Sequence, residues 1–194
     1  MESRHKLPSA DDSPIAQQAK DLAKDFISYR LGNNPIPVSP TAATLRKLAD
    51  QIEEQYPLLL NHLCHKLNIT PATVYQTFFE IASEVFVDGV NWGRIVALYA
   101  FGGKLAMYCD QHHMKELVGS VTDWVGRYVG GLCEWIENHG GWVGNWFKCD
   151  LLRTVLCYIF SLTLCPLLEP EAKINYIKYR LDIFKTPPTD IGGS

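Results

Sequence analysis

Apolar residues recur at three- and four-residue steps through most of the chain, and no stretch alternates persuasively enough to be a strand, so the expected class is all-α. Residues 15–31 set Ala19, Leu22, Ala23, Phe26 and Ile27 on one stripe, and Gly32 stops that helix near Leu31. Gly32 to Pro40, rich in proline and asparagine, reads as a loop. Helical spacing resumes over Thr41 to Leu67 with Leu45, Leu48, Ile52 and Tyr56, and Pro57 interrupts it. Thr70 as N-cap and Pro71 at the first helical position predict a further helix, whose buried stripe is Val74, Phe78, Ile81 and Val85. Residues 92–108 are apolar nearly all round, which in a globular protein calls for helices on every side. Glu116 to Glu137 reads as one long amphipathic helix that forms a hairpin with it. Gly140-Gly141 breaks that helix, and Trp142 and Trp146, four apart, share a face of a short one beyond.

One junction breaks the pattern. Asp88-Gly89 ends a helix and Asn91 is a good N-cap for the next, yet Gly93 and Arg94 occupy its first turn. A glycine there costs about 1 kcal/mol relative to alanine, which only a close-packed neighbour would reward. A cation near the positive end of a helix dipole is mildly unfavourable, so Arg94 reads either as a structural ion pair or as a clamp for an incoming carboxylate.

Composition narrows the functional classes. With 194 residues, 47% hydrophobic and 20% charged, one sizeable core is expected. A net charge of -3 without a dense Lys/Arg run argues against a nucleic-acid surface. Met1 to Pro14 is polar and carries no secretory h-region, so the chain is expected to begin in the cytosol, with its six cysteines reduced. Cys109-Asp110-Gln111-His112-His113 lacks a second ligand pair at a suitable spacing and reads as a solvated loop rather than a metal site. No nucleophile motif, P-loop or dinucleotide fingerprint is present; neither an enzyme nor a cofactor is expected.

Asn91-Trp92-Gly93-Arg94 with Phe101-Gly102-Gly103, and then Gly140-Gly141-Trp142, resemble the first and second homology regions of the Bcl-2 family of apoptosis regulators. Asp25 to Leu31 resembles the fourth region and Leu45 to Ile52 the third, in the family's order, with Ala49 in place of the usual glycine. The resemblance implies a helical bundle around a hydrophobic hairpin, with a surface groove for the amphipathic third-homology helix of a pro-apoptotic relative. Carried onto matching positions, it implies one groove wall from Ile52, Tyr56, Leu60 and Leu63 and a floor from Ile81 and Val85. Asn91 and Arg94 would meet the partner's aspartate, Gly93 would admit its backbone, and Ala97 and Phe101 would complete the pockets. Cys149 stands where many pro-survival relatives have a groove tyrosine.

The same resemblance leaves two roles open: a pro-survival protein that sequesters third-homology helices, or an effector that oligomerises and permeabilises the mitochondrial outer membrane. Asp25 to Leu31 and Asp88 to Ile95 favour the first, whereas Val143-Gly144 after Trp142 favours the second. The expected organisation is a tail over 1–14, the helical domain over 15–148, an apolar segment over 149–168 and a polar tail over 169–194. Leu151 to Leu168 is marginally long enough to cross a bilayer, with Arg153 near its start and Pro166 inside it. It reads as an anchor to intracellular membranes, the mitochondrial outer membrane above all, or as a helix folded back onto the bundle.

Overall fold

The computed structural model describes residues 13–55, 64 and 69–143, and among them every regular element is helical. Helix α1 spans Pro14–Arg30. Ser13 caps it by accepting from Ala16 N at 3.1 Å, and Pro14 fills the first turn, where its missing N–H costs nothing. It ends as the sequence predicts: Gly32, at φ +77°, donates to Tyr29 O. The same Ser-Pro start opens α2 (Pro40–Gln55), where Ser39 Oγ accepts from Ala42 N at 3.1 Å. Reading Gly32 to Pro40 as loop therefore overran by one residue, because Pro40 already has the φ of a first helical turn.

Helix α3 (Val74–Val85) begins later than Thr70-Pro71 suggested. Thr70 to Thr73 form a hydrogen-bonded turn instead, with Thr73 Oγ1 accepting from Thr70 N at 3.0 Å and Thr70 O accepting from the N–H groups of Thr73 and Val74. Thr70 O thus already receives one bond in helical register, from Val74 N, while residues 71–73 remain a turn and the regular helix runs from Val74. Helix α4 (Trp92–Gln111) starts where expected: Asn91 is extended and its Oδ1 accepts from Arg94 N at 2.9 Å.

The long helix expected over Glu116 to Glu137 is two helices, α5 (Glu116–Gly130) and α6 (Cys133–Asn138). Gly131, the C-cap of α5, and Leu132 separate them, and the glycine pair at 130–131 weakens the helix there because glycine gives up the most backbone entropy. Trp142 lies in a 3-10 turn over Gly141–Val143, after glycines 140 and 141 at positive φ. Trp146 lies outside the described residues, as do the expected segments 149–168 and 169–194.

Helix α4 is the centre of the bundle, with α1, α2, α3 and α5 around it. Its residues from Trp92 to Gly103 are buried without interruption, as its all-round apolarity requires. The buried Tyr99 hydroxyl is answered, since Tyr99 Oη donates to Ala19 O at 2.9 Å. Helix α1 lies against α5, where small residues face each other, Gly130 against Ala16 and Gly126 against the backbone of Lys20. Trp142 closes the end of the bundle by donating its indole N–H to Ile15 O at 2.9 Å and packing on Trp92, whose ring meets Trp135 edge-on.

Candidate functional site

The corner between α3 and α4 concentrates the unusual chemistry. After Val85 the chain turns, Gly89 N donating to Phe86 O at 2.9 Å, and Gly89 adopts φ +98°. That conformation directs its carbonyl at Arg94, whose Nη1 donates to Gly89 O at 2.6 Å. Arg94 Nη2 also reaches Asp88 Oδ2 at 3.3 Å. Arg94 is 5% exposed, whereas the Asp88 side chain is 45% exposed. The buried guanidinium therefore already holds a carboxylate from its own chain. Asn91, expected to meet a ligand carboxylate, uses its Oδ1 as the helix cap, which leaves its side-chain amide N–H groups for that task. Gly93 is buried in the same first turn.

Behind this corner, Ile52 of α2, Ile81 and Val85 of α3, and Ala97 and Phe101 of α4 belong to one apolar cluster, and all five are buried. The Phe101 ring stacks on Phe78 with centroids 6.3 Å apart. These five expected groove residues are thus core positions of the described helices, shared with the apolar residues of α1 and α5, and none presents an open surface. Tyr56, Leu60 and Leu63, the rest of the expected wall, lie outside the described residues.

Two charged networks that the sequence reading missed fasten α2 in place. Asp25 and Arg46 form a bidentate pair, with Nε to Oδ2 at 2.9 Å and Nη2 to Oδ1 at 2.7 Å. Arg46 also donates to the carbonyls of Asn34, Pro35 and Ile36, while Asp25 accepts from Val38 N and Asn34 Nδ2, so the 32–39 loop is wound around the pair. The second network joins three helices: Arg30 of α1 contacts Asp50 and Glu53 of α2, and Lys104 of α4 reaches Glu53 at 3.0 Å. Arg30 Nη2 lies 2.6 Å from Glu53 Oε1 without the alignment of a hydrogen bond, so this contact acts by charge. Tyr29 Oη donates to Asp50 Oδ2 at 2.9 Å, and that bond, aided by burial, pushes the Tyr29 phenol up. A signal was present, since Asp25 and Arg46 are charges set in otherwise apolar stripes, where a buried charge needs a partner.

The cysteines and histidines form no catalytic arrangement among the described residues. Burial pushes Cys64 up to about 12 and Cys109 up to about 11, which keeps both thiols neutral and poorly nucleophilic. His112 stacks on Tyr108 and His113 takes a positive φ in the turn that follows.

Against known proteins, residues 45–142 match the family of apoptosis regulator proteins, Bcl-2 family. Bcl-2-like protein 1 of Homo sapiens is 40% identical over 108 residues, covering 55% of this chain and 46% of that protein. The chain therefore spans about half the length of that relative. Bcl-2 homologous antagonist/killer of Homo sapiens is 31% identical over 160 residues, covering 71% of this chain and 76% of that protein. Among solved structures, Trichoplax adhaerens trBcl-2L2 bound to trBak BH3 superimposes with a TM-score of 0.61 at 32% identity, covering 66% of this chain and 95% of the other. The helical bundle around α4, the capped Asn91-Trp92-Gly93-Arg94 turn and these matches agree, and the chain belongs to the Bcl-2 family of apoptosis regulators.

Proposed function

We propose that this protein is a pro-survival regulator that binds the amphipathic third-homology helices of pro-apoptotic relatives in a groove bounded by α2, α3 and the start of α4. The observation that carries the binding role is Arg94, a buried guanidinium at the edge of an apolar cluster. Recognition of this kind seats apolar anchors at helical spacing and fixes register with one charge pair. The Trichoplax relative bound to a BH3 partner supports it, and the higher identity to Bcl-2-like protein 1 than to the antagonist/killer supports the pro-survival branch. Arg94→Ala should weaken a third-homology peptide by about 2 kcal/mol or more, because the ligand's aspartate loses a largely desolvated partner. Unchanged affinity by titration calorimetry would remove Arg94 from the site.

A second reading, an effector that permeabilises membranes, is favoured by the longer stretch of chain aligned with the antagonist/killer protein. Liposome release separates the two. The pro-survival reading expects no leakage on adding an activating peptide; dose-dependent leakage with oligomers recovered from the membrane establishes the effector. Attachment to the mitochondrial outer membrane through 149–168 belongs to the same proposal. No helix among the described residues is long and apolar enough to cross a membrane, so that segment is what a carbonate extraction of full-length and 149–194-deleted protein would test.

A further inference from the structure

The corner that would receive a ligand's carboxylate already contains one. Arg94 is fixed from three directions by its own chain: its backbone N–H by Asn91 Oδ1, its Nη1 by Gly89 O and its Nη2 by the Asp88 carboxylate. The first two contacts involve neutral acceptors and build the turn. The third is different in kind, because it places a full negative charge beside the corner's cation. Asp88 lies outside the helix, on the turn between α3 and α4, and nearly half of its side chain faces solvent.

We infer that Asp88 is an internal competitor for Arg94, which lowers the site's affinity for ligand helices that bring a carboxylate and thereby sets how much apolar anchoring such a ligand must supply. The inference rests on the groove reading proposed above. Its physical basis is an exchange. A guanidinium can donate to two carboxylates, but the second meets a cation already neutralised and a like charge a few ångströms away. An arriving aspartate must therefore share Arg94 with Asp88 or displace it into water. Displacement is feasible because Asp88 is half-exposed, whereas Arg94 is buried and its Gly89 contact is backbone. The net gain from the ligand's charge is consequently smaller than an unoccupied buried arginine would offer. A ligand without the carboxylate pays none of this exchange.

The test uses the full-length chain and two synthetic third-homology peptides, identical except that one carries aspartate and the other asparagine at the position facing Arg94, with every other groove-facing side chain uncharged. Asp88→Asn keeps the shape of the side chain and removes its charge; Asp88→Ala serves as a second variant, and thermal melting verifies that both fold. Titration calorimetry should show the aspartate peptide binding roughly fivefold more tightly to Asp88→Asn than to the unaltered chain, with the gain shrinking as salt screens the half-exposed charge. The asparagine peptide should bind both proteins within about twofold of each other, since it brings no charge to compete. Adding Arg94→Ala should abolish the difference between the peptides in either background. Equal or weaker binding of the aspartate peptide to Asp88→Asn overturns the competitor role while leaving the groove standing. Absence of binding by either peptide to any of the folded proteins overturns the groove and, with it, this inference.

Discussion

Asp25→Ala should be among the most damaging single substitutions outside the apolar core. The structure gives the reason and the size. The Arg46 and Asp25 side chains are 6% and 1% exposed, so neither can exchange its partner for bulk water. Removing the carboxylate strands a buried guanidinium, which costs about 3–5 kcal/mol, and also removes the acceptor of Val38 N and Asn34 Nδ2. For a chain of this size that corresponds to a fall in melting temperature of roughly 10 °C. Arg46→Met alone strands the carboxylate and should cost a similar amount. The double variant Asp25→Leu/Arg46→Met removes both charges and should cost less than the sum of the two singles by about 2 kcal/mol or more, because nothing ionic is left buried. The orphaned carbonyls of residues 34–36 belong to a loop where Ile36 and Val38 are exposed, so water can reach them. Urea titrations of the four proteins, followed by circular dichroism, measure the cycle. Raising salt to about 1 M should leave the coupling nearly intact, since mobile ions do not reach a buried pair. A cost below about 1 kcal/mol for Asp25→Ala, or simple additivity in the double variant, would refute the reasoning and reduce the pair to an ordinary surface contact.

Glycines in adjacent helices should respond in opposite directions. A methyl group at Gly102 would overlap Val125 Cγ2 in the contact between α4 and α5, so Gly102→Ala should destabilise by about 1–3 kcal/mol, whereas at Gly119 of α5 nothing lies within 4 Å and Gly119→Ala should stabilise by about 0.5–1 kcal/mol; denaturant midpoints test both. Alkylation at pH 8 with mass-spectrometric mapping should leave Cys64 and Cys109 unmodified in folded protein and modify both once urea is added. Stability should also fall with rising pH on their account: below the ordinary thiol value of 9.0 the folded and unfolded forms bind the same protons, and above it the unfolded chain releases them first, until the folded thiols ionise near 11 and 12. A Cys64→Ala/Cys109→Ala variant with the same loss of stability between pH 9 and 11 as the unaltered chain would refute that assignment.

The helical class, the central position of α4 and the Asn91 cap were legible in the chain because each depends on local order: periodicity, all-round apolarity and a capping side chain next to its target. The burial of Ile52, Ile81, Val85 and Phe101 was legible from helical spacing, whereas their assignment with Ala97 to a groove came from the family resemblance, since residues this far apart in sequence carry no mutual signal of contact. Two boundaries were not. Thr70-Pro71 had the residues of a helix start, but residues 71–73 form a turn ahead of the regular helix, and the break at Gly131-Leu132 divided a stripe whose periodicity continued through it. Both outcomes depend on local backbone conformation, which the spacing of apolar side chains does not register. Pairing was hidden for a related reason. A charge in an apolar stripe announces that it needs a counter-charge without saying which, and only the packing of α2 on α1 chose Arg46 for Asp25 across 21 residues of sequence. The same holds at Arg94, where the sequence supplied a cation in an unfavourable place and a choice between clamp and ion pair. The turn at Gly89 decided that its own chain's carboxylate arrives first, because only that backbone conformation folds Asp88 back onto a guanidinium six residues ahead.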